Sequence, residues 1–299
     1  MRGYVPLLSL LGTIWGASFL FIEVADRALE PTTLMGARLL VAAAVLVPVF
    51  VVSRGGRSAL AELGRVARPG MVAGVVAAAL PFTLIAWGQK RIDSGTAAIA
   101  NASMPIVVVL LALRFRESER VAGLRLFGVL LGLVGVGVLA GANPPGGWWT
   151  VAGTLAVVAA AFSYAAGALY AQNYVDTGRV LAFSTAQCIA GALVLLPFGL
   201  IQAPADLPGW KPIASVLALG VAGTAVGTLL YYRLVSSYGS ARASLVVYLL
   251  PPFALIYGGV FLDEPFTAQK LVGMALILGG VAVGSGVVTW PRRLAAVAE

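Results

Sequence analysis

The chain has 299 residues, 60% of them hydrophobic and 11% charged, with mean hydropathy +0.95 and net charge +8. A water-soluble domain carries about 25% charged residues, so most of this chain faces hydrocarbon. With no histidine and one cysteine, Cys188, it excludes an internal disulfide, a Cys/His zinc site and any histidine-based triad.

A helix needs about 20 apolar residues to cross a bilayer. Ten stretches qualify, in chain order: 5–25, 33–52, 70–88, 95–113, 121–140, 149–170, 180–201, 212–232, 241–261 and 267–288. The first begins like a signal peptide, but its apolar run continues to Phe21 with no small-x-small cleavage site. We read it as a retained helix. Between stretches two and three, SRGGRSALAELGRVARP (53–69) has room for a short interfacial helix. The other connections are too short for a soluble domain.

The basic residues are divided unequally between the two ends of these stretches. One side holds 14, including Arg54, Arg57, Arg65, Arg68 and Arg179. The other holds five: Arg27, Lys90, Arg91, Lys211 and Lys270. Arg38 lies inside a stretch. This bias places both termini in the cytoplasm. It also explains the positive charge without a nucleic-acid partner.

The two halves resemble each other. ARLLVAAAVLVP (37–48) matches AQCIAGALVLLP (186–197) at a spacing of 149, which sets Arg38 over Gln187 and Trp15 over Tyr164. WGQKRIDSG (87–95) lies over YYRLVSSYG (231–239) at 144. ERVAGLRLFG (119–128) lies over EPFTAQKLVG (264–273) at 145. Residues 1–145 and 146–290 then form two five-helix repeats, with 291–299 as a cytoplasmic tail. An odd helix number makes the second repeat enter from the opposite face. The expected fold is an all-α integral membrane protein of ten helices in two inverted-topology repeats, an arrangement of secondary transporters.

Prolines interrupt the fourth helix of each half: Pro105 in the first, Pro251 and Pro252 in the second. Freed carbonyls are tolerated in a membrane only beside protein or a wet cavity. These helices are therefore expected to line the pathway, the alternative being simple packing kinks.

WGASFLFIEVA (15–25), the arginine in helix 2, and the P…E…G…G pattern closing each half resemble the EamA family of the drug/metabolite transporter superfamily. The resemblance covers nearly the whole chain. It implies a bacterial inner-membrane exporter of small metabolites such as amino acids. Glu23 departs from many relatives, which have a basic or neutral residue there.

A transporter needs a pocket with few polar groups, and gates. The expected substrate pathway comprises Trp15, Ser18, Phe19, Phe82, Asn101, Ser103, Tyr164, Ser244 and Tyr248. Gate or coupling candidates are Glu23, Arg38, Gln187, Trp87 and Tyr231, although Trp87, Tyr231 and Tyr232 also suit an interfacial aromatic belt. Arg38 either snorkels to the interface or faces inward as a gate or anchor paired with Glu23. Glu119 and Glu264 read as caps near the starts of the last helices. The glycine-rich fifth helices favour close packing within the chain, with a weak homodimer as the other option. No P-loop occurs, no metal or cofactor is expected, and the partners are a small molecule and the bilayer. Two alternatives stand beside the exporter: a lipid or lipid-linked-sugar flippase, and a membrane-embedded enzyme. The enzyme lacks clustered catalytic groups.

Overall fold

The structure is a computed structural model that describes residues 3–104, 124–140, 147–239 and 243–284. Among them are ten helical segments and no strand. They are α1 Tyr4–Asp26, α2 Pro31–Arg54, α3 Gly56–Gln89, α4 Ser94–Asn101, α5 Leu124–Ala140, α6 Trp148–Ala171, α7 Val180–Ile201, α8 Trp210–Tyr238, α9 Ser244–Phe261 and α10 Ala268–Gly284. Seven are long and apolar enough to cross a membrane: α1, α2, α3, α6, α7, α8 and α9.

Local chemistry sets several boundaries. Pro31 opens α2 at a position where its missing N–H has no helical partner. Gly55, at φ 77°, ends α2 in a conformation that suits glycine. Asp93 caps α4, its Oδ1 accepting the Thr96 N–H at 2.8 Å. The expected interfacial helix is not separate: residues 56–69 run straight into the third span, making a 34-residue helix. Pro251 and Pro252 do not break a regular α-helix. They sit in the first turn of an α-helical stretch that follows a 3₁₀ segment, Ser244–Leu249, so the irregularity precedes them. Pro105 and Glu119 lie outside the described residues.

Two helices contain π-helical turns, Val75–Ala79 in α3 and Leu219–Val226 in α8. Pro81, two residues past the turn in α3, cannot donate a backbone N–H, whereas the turn in α8 has no proline within it. Such turns leave carbonyls without regular partners. Side chains from facing helices supply them: Ser163 Oγ donates to Val76 O at 2.6 Å, and Trp15 Nε1 to Gly223 O at 2.9 Å.

Packing follows small residues. α2 lies along α7, α3 packs on α6 and α7, α1 on α8 and α9, and α5 on α10. Gly74 abuts Ala190 and the Gln187 carbonyl, while Gly220 abuts Val41 and the Arg38 carbonyl. In the α5–α10 pair, Gly135 meets Ile277 and Gly280 meets Gly132. The outward surface is apolar, with Leu130, Leu133, Val134, Leu193 and Leu196 exposed. Trp148, Trp149 and Trp210 are exposed at the starts of α6 and α8, as in an interfacial belt.

The α5–α10 contact is testable. A Cβ on Gly280 would stand 2.5 Å from Gly132 N, whereas Gly137 faces open space. Gly280→Val is expected to lower stability by about 1–3 kcal/mol, read as a lower melting temperature in detergent. Gly137→Ala should leave the melting temperature at or above wild type.

Candidate functional site

Eight helices converge on a cavity with about 860 Å³ of unfilled space, open solvent at its mouth included. Its walls bring together six of the nine expected pathway residues: Trp15, Ser18, Phe19, Phe82, Asn101 and Tyr164. Three gate candidates, Arg38, Gln187 and Tyr231, line the same space. Ser103, Ser244 and Tyr248 do not reach it. Ser103 lies buried in the turn after α4, and Ser244 and Tyr248 sit on the 3₁₀ segment that opens α9.

The aromatic residues form connected pairs. Trp15 and Tyr231 have ring centroids 5.3 Å apart, Tyr231 and Tyr232 5.5 Å, and Phe82 and Tyr164 6.1 Å. The Tyr232 hydroxyl donates to Gln187 Oε1, and its ring packs edge-on against Phe183. So Tyr231 and Tyr232 belong to the cavity and not to an interfacial belt. Trp87 is the reverse case. Its ring stacks under the Arg91 guanidinium at 3.5 Å, outside the cavity.

Arg38 is only 4% exposed, so it does not snorkel. Nor does it pair with Glu23. Its Nε donates to Thr224 Oγ1 at 2.7 Å, and the guanidinium lies 4.0 Å over the Phe82 ring. Thr224 in turn donates to Leu219 O within the π turn of α8, which fixes the hydroxyl that receives the arginine. Sequence reading missed Thr224, Thr228 and Gly223 because their placement depends on this π turn. Ile22, Ile85 and Val247 complete the wall and read as ordinary core residues.

A second polar cluster joins the connections α1–α2, α3–α4 and α9–α10 at one end of the bundle. Glu264 does not cap its own helix. Its two carboxylate oxygens accept the Ser94 and Gly95 N–H groups at 2.9 and 3.1 Å, at the start of α4. Lys270 pairs with Asp93 at 3.0 Å, and Lys90 with Glu30 at 3.2 Å and Asp26 at 3.7 Å. Gln89 ties α3 to α1 by donating to Phe19 O at 2.9 Å. Gly258 leaves room for the Glu264 carboxylate, since a Cβ there would stand 2.6 Å from Oε2. Glu23 is half-buried just below this cluster, and its Oε2 has no hydrogen-bond partner.

Removing the Glu264 carboxylate strips α4 of an N-terminal anion. Glu264→Ala is expected to cost about 1–2 kcal/mol, seen as a lower detergent melting temperature. Glu264→Gln, which still offers one oxygen, should cost less. An unchanged melting temperature in Glu264→Ala would remove the capping role.

The chain matches known proteins along almost its whole length. A 23% identical uncharacterized transporter of Archaeoglobus fulgidus aligns over 93% of this chain and 96% of its own length. A probable amino-acid metabolite efflux pump of Salmonella typhimurium is 26% identical, over 94% and 93% respectively. A probable terminal-alkyne amino-acid exporter of Streptantibioticus cattleyicolor is 31% identical over 66% of each chain. One crystal structure superposes with a TM-score of 0.67 at 19% identity, covering 98% of this chain and 99% of that one, a likeness of fold. The model of the EamA-like transporter family matches residues 3–141 and again 151–285, and the chain is thus a multi-pass membrane protein belonging to that family.

Proposed function

We propose that this protein is a secondary transporter that exports small metabolites, amino acids or related amphiphilic compounds, by alternating access around the central cavity. The observation that supports this most is the cavity itself. It is walled by helices from both family-matched halves and ringed by aromatic residues. The relatives named as amino-acid efflux pumps and exporters favour the same substrate class.

Alternating access needs two arrangements of comparable energy, and inverted repeats provide them by exchanging roles. Several contacts favour two such repeats. The π turns begin at residues 75 and 219, which are 144 apart, the spacing already read for this region. At a spacing of 145, Gly135 corresponds to Gly280 and Gly132 to Ile277. The Gly135–Ile277 and Gly280–Gly132 contacts are therefore images of each other, as a two-fold axis requires. Val41 and Ala190 correspond at 149, and each abuts a π-turn helix through a glycine. In this reading the ten segments are ten spans, and residues 1–145 and 146–290 are the repeats. The termini are cytoplasmic in the inner membrane, and the Glu264–Lys270 cluster closes the outer face.

Reconstituted protein should exchange labelled amino acid across proteoliposomes loaded with the same amino acid. Trp15→Ala removes a ring contact and the hydrogen bond to the π turn, and should cut exchange about tenfold, equivalent to about 1.4 kcal/mol. Lipid scrambling without amino-acid exchange would instead favour a flippase.

A further inference from the structure

Among the described residues that line the cavity, Arg38 is the one charged side chain, and no Asp or Glu stands beside it. Arg38 uses Nε on Thr224 and directs Nη1 at the Met35 sulfur from 4.0 Å, a weak acceptor. Among the described residues no hydrogen bond or ion pair engages Nη2. This nitrogen faces the glycine stretch of α8: a Cβ on Gly223 would stand 3.5 Å away. Taking a cation out of water without a partner is costly, and in membrane helices such charges are expected to be matched. The planar guanidinium is a strong hydrogen-bonding partner for oxyanions, a carboxylate among them.

The opposite polarity is also present. Asn101 is 4% exposed and lines the cavity, and its Oδ1 receives no hydrogen bond. A buried amide without a partner is costly too. It fits an ammonium, amide or hydroxyl donor. Elsewhere the wall includes ring surface from Trp15, Phe19, Phe82 and Tyr164. Those faces can hold an apolar or aromatic body, and they attract an ammonium group as well.

We propose that Arg38 recognises the substrate directly as its carboxylate receptor. The cavity then takes small monocarboxylates with an apolar or aromatic body, their donor group meeting Asn101. Thr224 and Phe82 are positioning residues: one holds Nε, the other supports the guanidinium face, and together they leave Nη2 turned to the substrate. One arginine balances one carboxylate, so a bound zwitterion leaves only its ammonium to the amide and the ring faces. The carboxylate thus contributes more to recognition than the amine. This rests on the exporter reading, which places the substrate in the cavity.

The test is competition against labelled phenylalanine exchange in proteoliposomes. Unlabelled phenylalanine, phenylalaninamide and 3-phenylpropionate are the competitors. Phenylalaninamide, which lacks the carboxylate, should compete about tenfold less well than phenylalanine, the factor carried by one charge-assisted hydrogen bond. 3-Phenylpropionate, which lacks the amine, should lose less. Arg38→Lys should retain the preference for acid over amide. Arg38→Gln should remove it, with both compounds competing equally. If Arg38→Gln does not fold, the wild-type series and Arg38→Lys decide. Equal competition by acid and amide in the wild type, or an undiminished preference in Arg38→Gln, overturns the assignment. Phenylalanine exchange would continue in both cases, so the exporter reading would survive. An absence of all amino-acid exchange in the wild type overturns both.

Discussion

An unpaired backbone carbonyl costs several kcal/mol in hydrocarbon, and this constraint organises the centre of the molecule. The π turns of α3 and α8 free carbonyls at mid-helix. Ser163 and Trp15 reach across from α6 and α1 to engage them. The two helices can therefore be irregular only where another helix faces them. That is also where the cavity opens. Gly223 shows the link: its carbonyl receives Trp15, and its missing side chain leaves space beside Arg38.

The buried arginine depends on the same turn. Thr224 accepts from Arg38 while donating to the Leu219 carbonyl of the π segment. In a regular helix such a hydroxyl reaches the carbonyl four residues back, as Thr185 does to Leu181; in the π segment it reaches five back. Helix irregularity thus sets the hydroxyl, the hydroxyl sets the guanidinium, and the guanidinium is the one charge among the described residues of the cavity wall. Glycines do the complementary work at the periphery, bringing α5 and α10 close enough that no side chain fits between their backbones.

Much of this was legible in the sequence. Hydropathy placed the seven helices long and apolar enough to cross a membrane, because twenty apolar residues have few other uses. The 149-residue match set Arg38 over Gln187, and both proved to line the cavity. Other features were hidden for identifiable reasons. Nothing in LGVAGTAV announces a π turn; for VVAAA the clues were Pro81 just beyond it and the 144-residue spacing to its counterpart. Glu264 was assigned to the nearest helix in sequence, but long-range packing hands it to α4. Tyr231 and Tyr232 resemble interfacial residues by their distance from the helix end. They turn inward because Gln187 and Trp15 give them partners. Tyr248 has suitable chemistry, but of its 3₁₀ segment Val247, not Tyr248, lines the cavity.

The central claim is that this cavity is a water-accessible pathway that substrate occupies. Ala168 lines it and has a small side chain, and Cys188 is the chain's one native thiol. In a Cys188→Ser background, Ala168→Cys can be labelled with a membrane-impermeant maleimide in proteoliposomes. The account predicts labelling from at least one face, slowed in a saturable way by a transported amino acid. A thiol that reacts from neither face, or at a rate no amino acid changes, would contradict it.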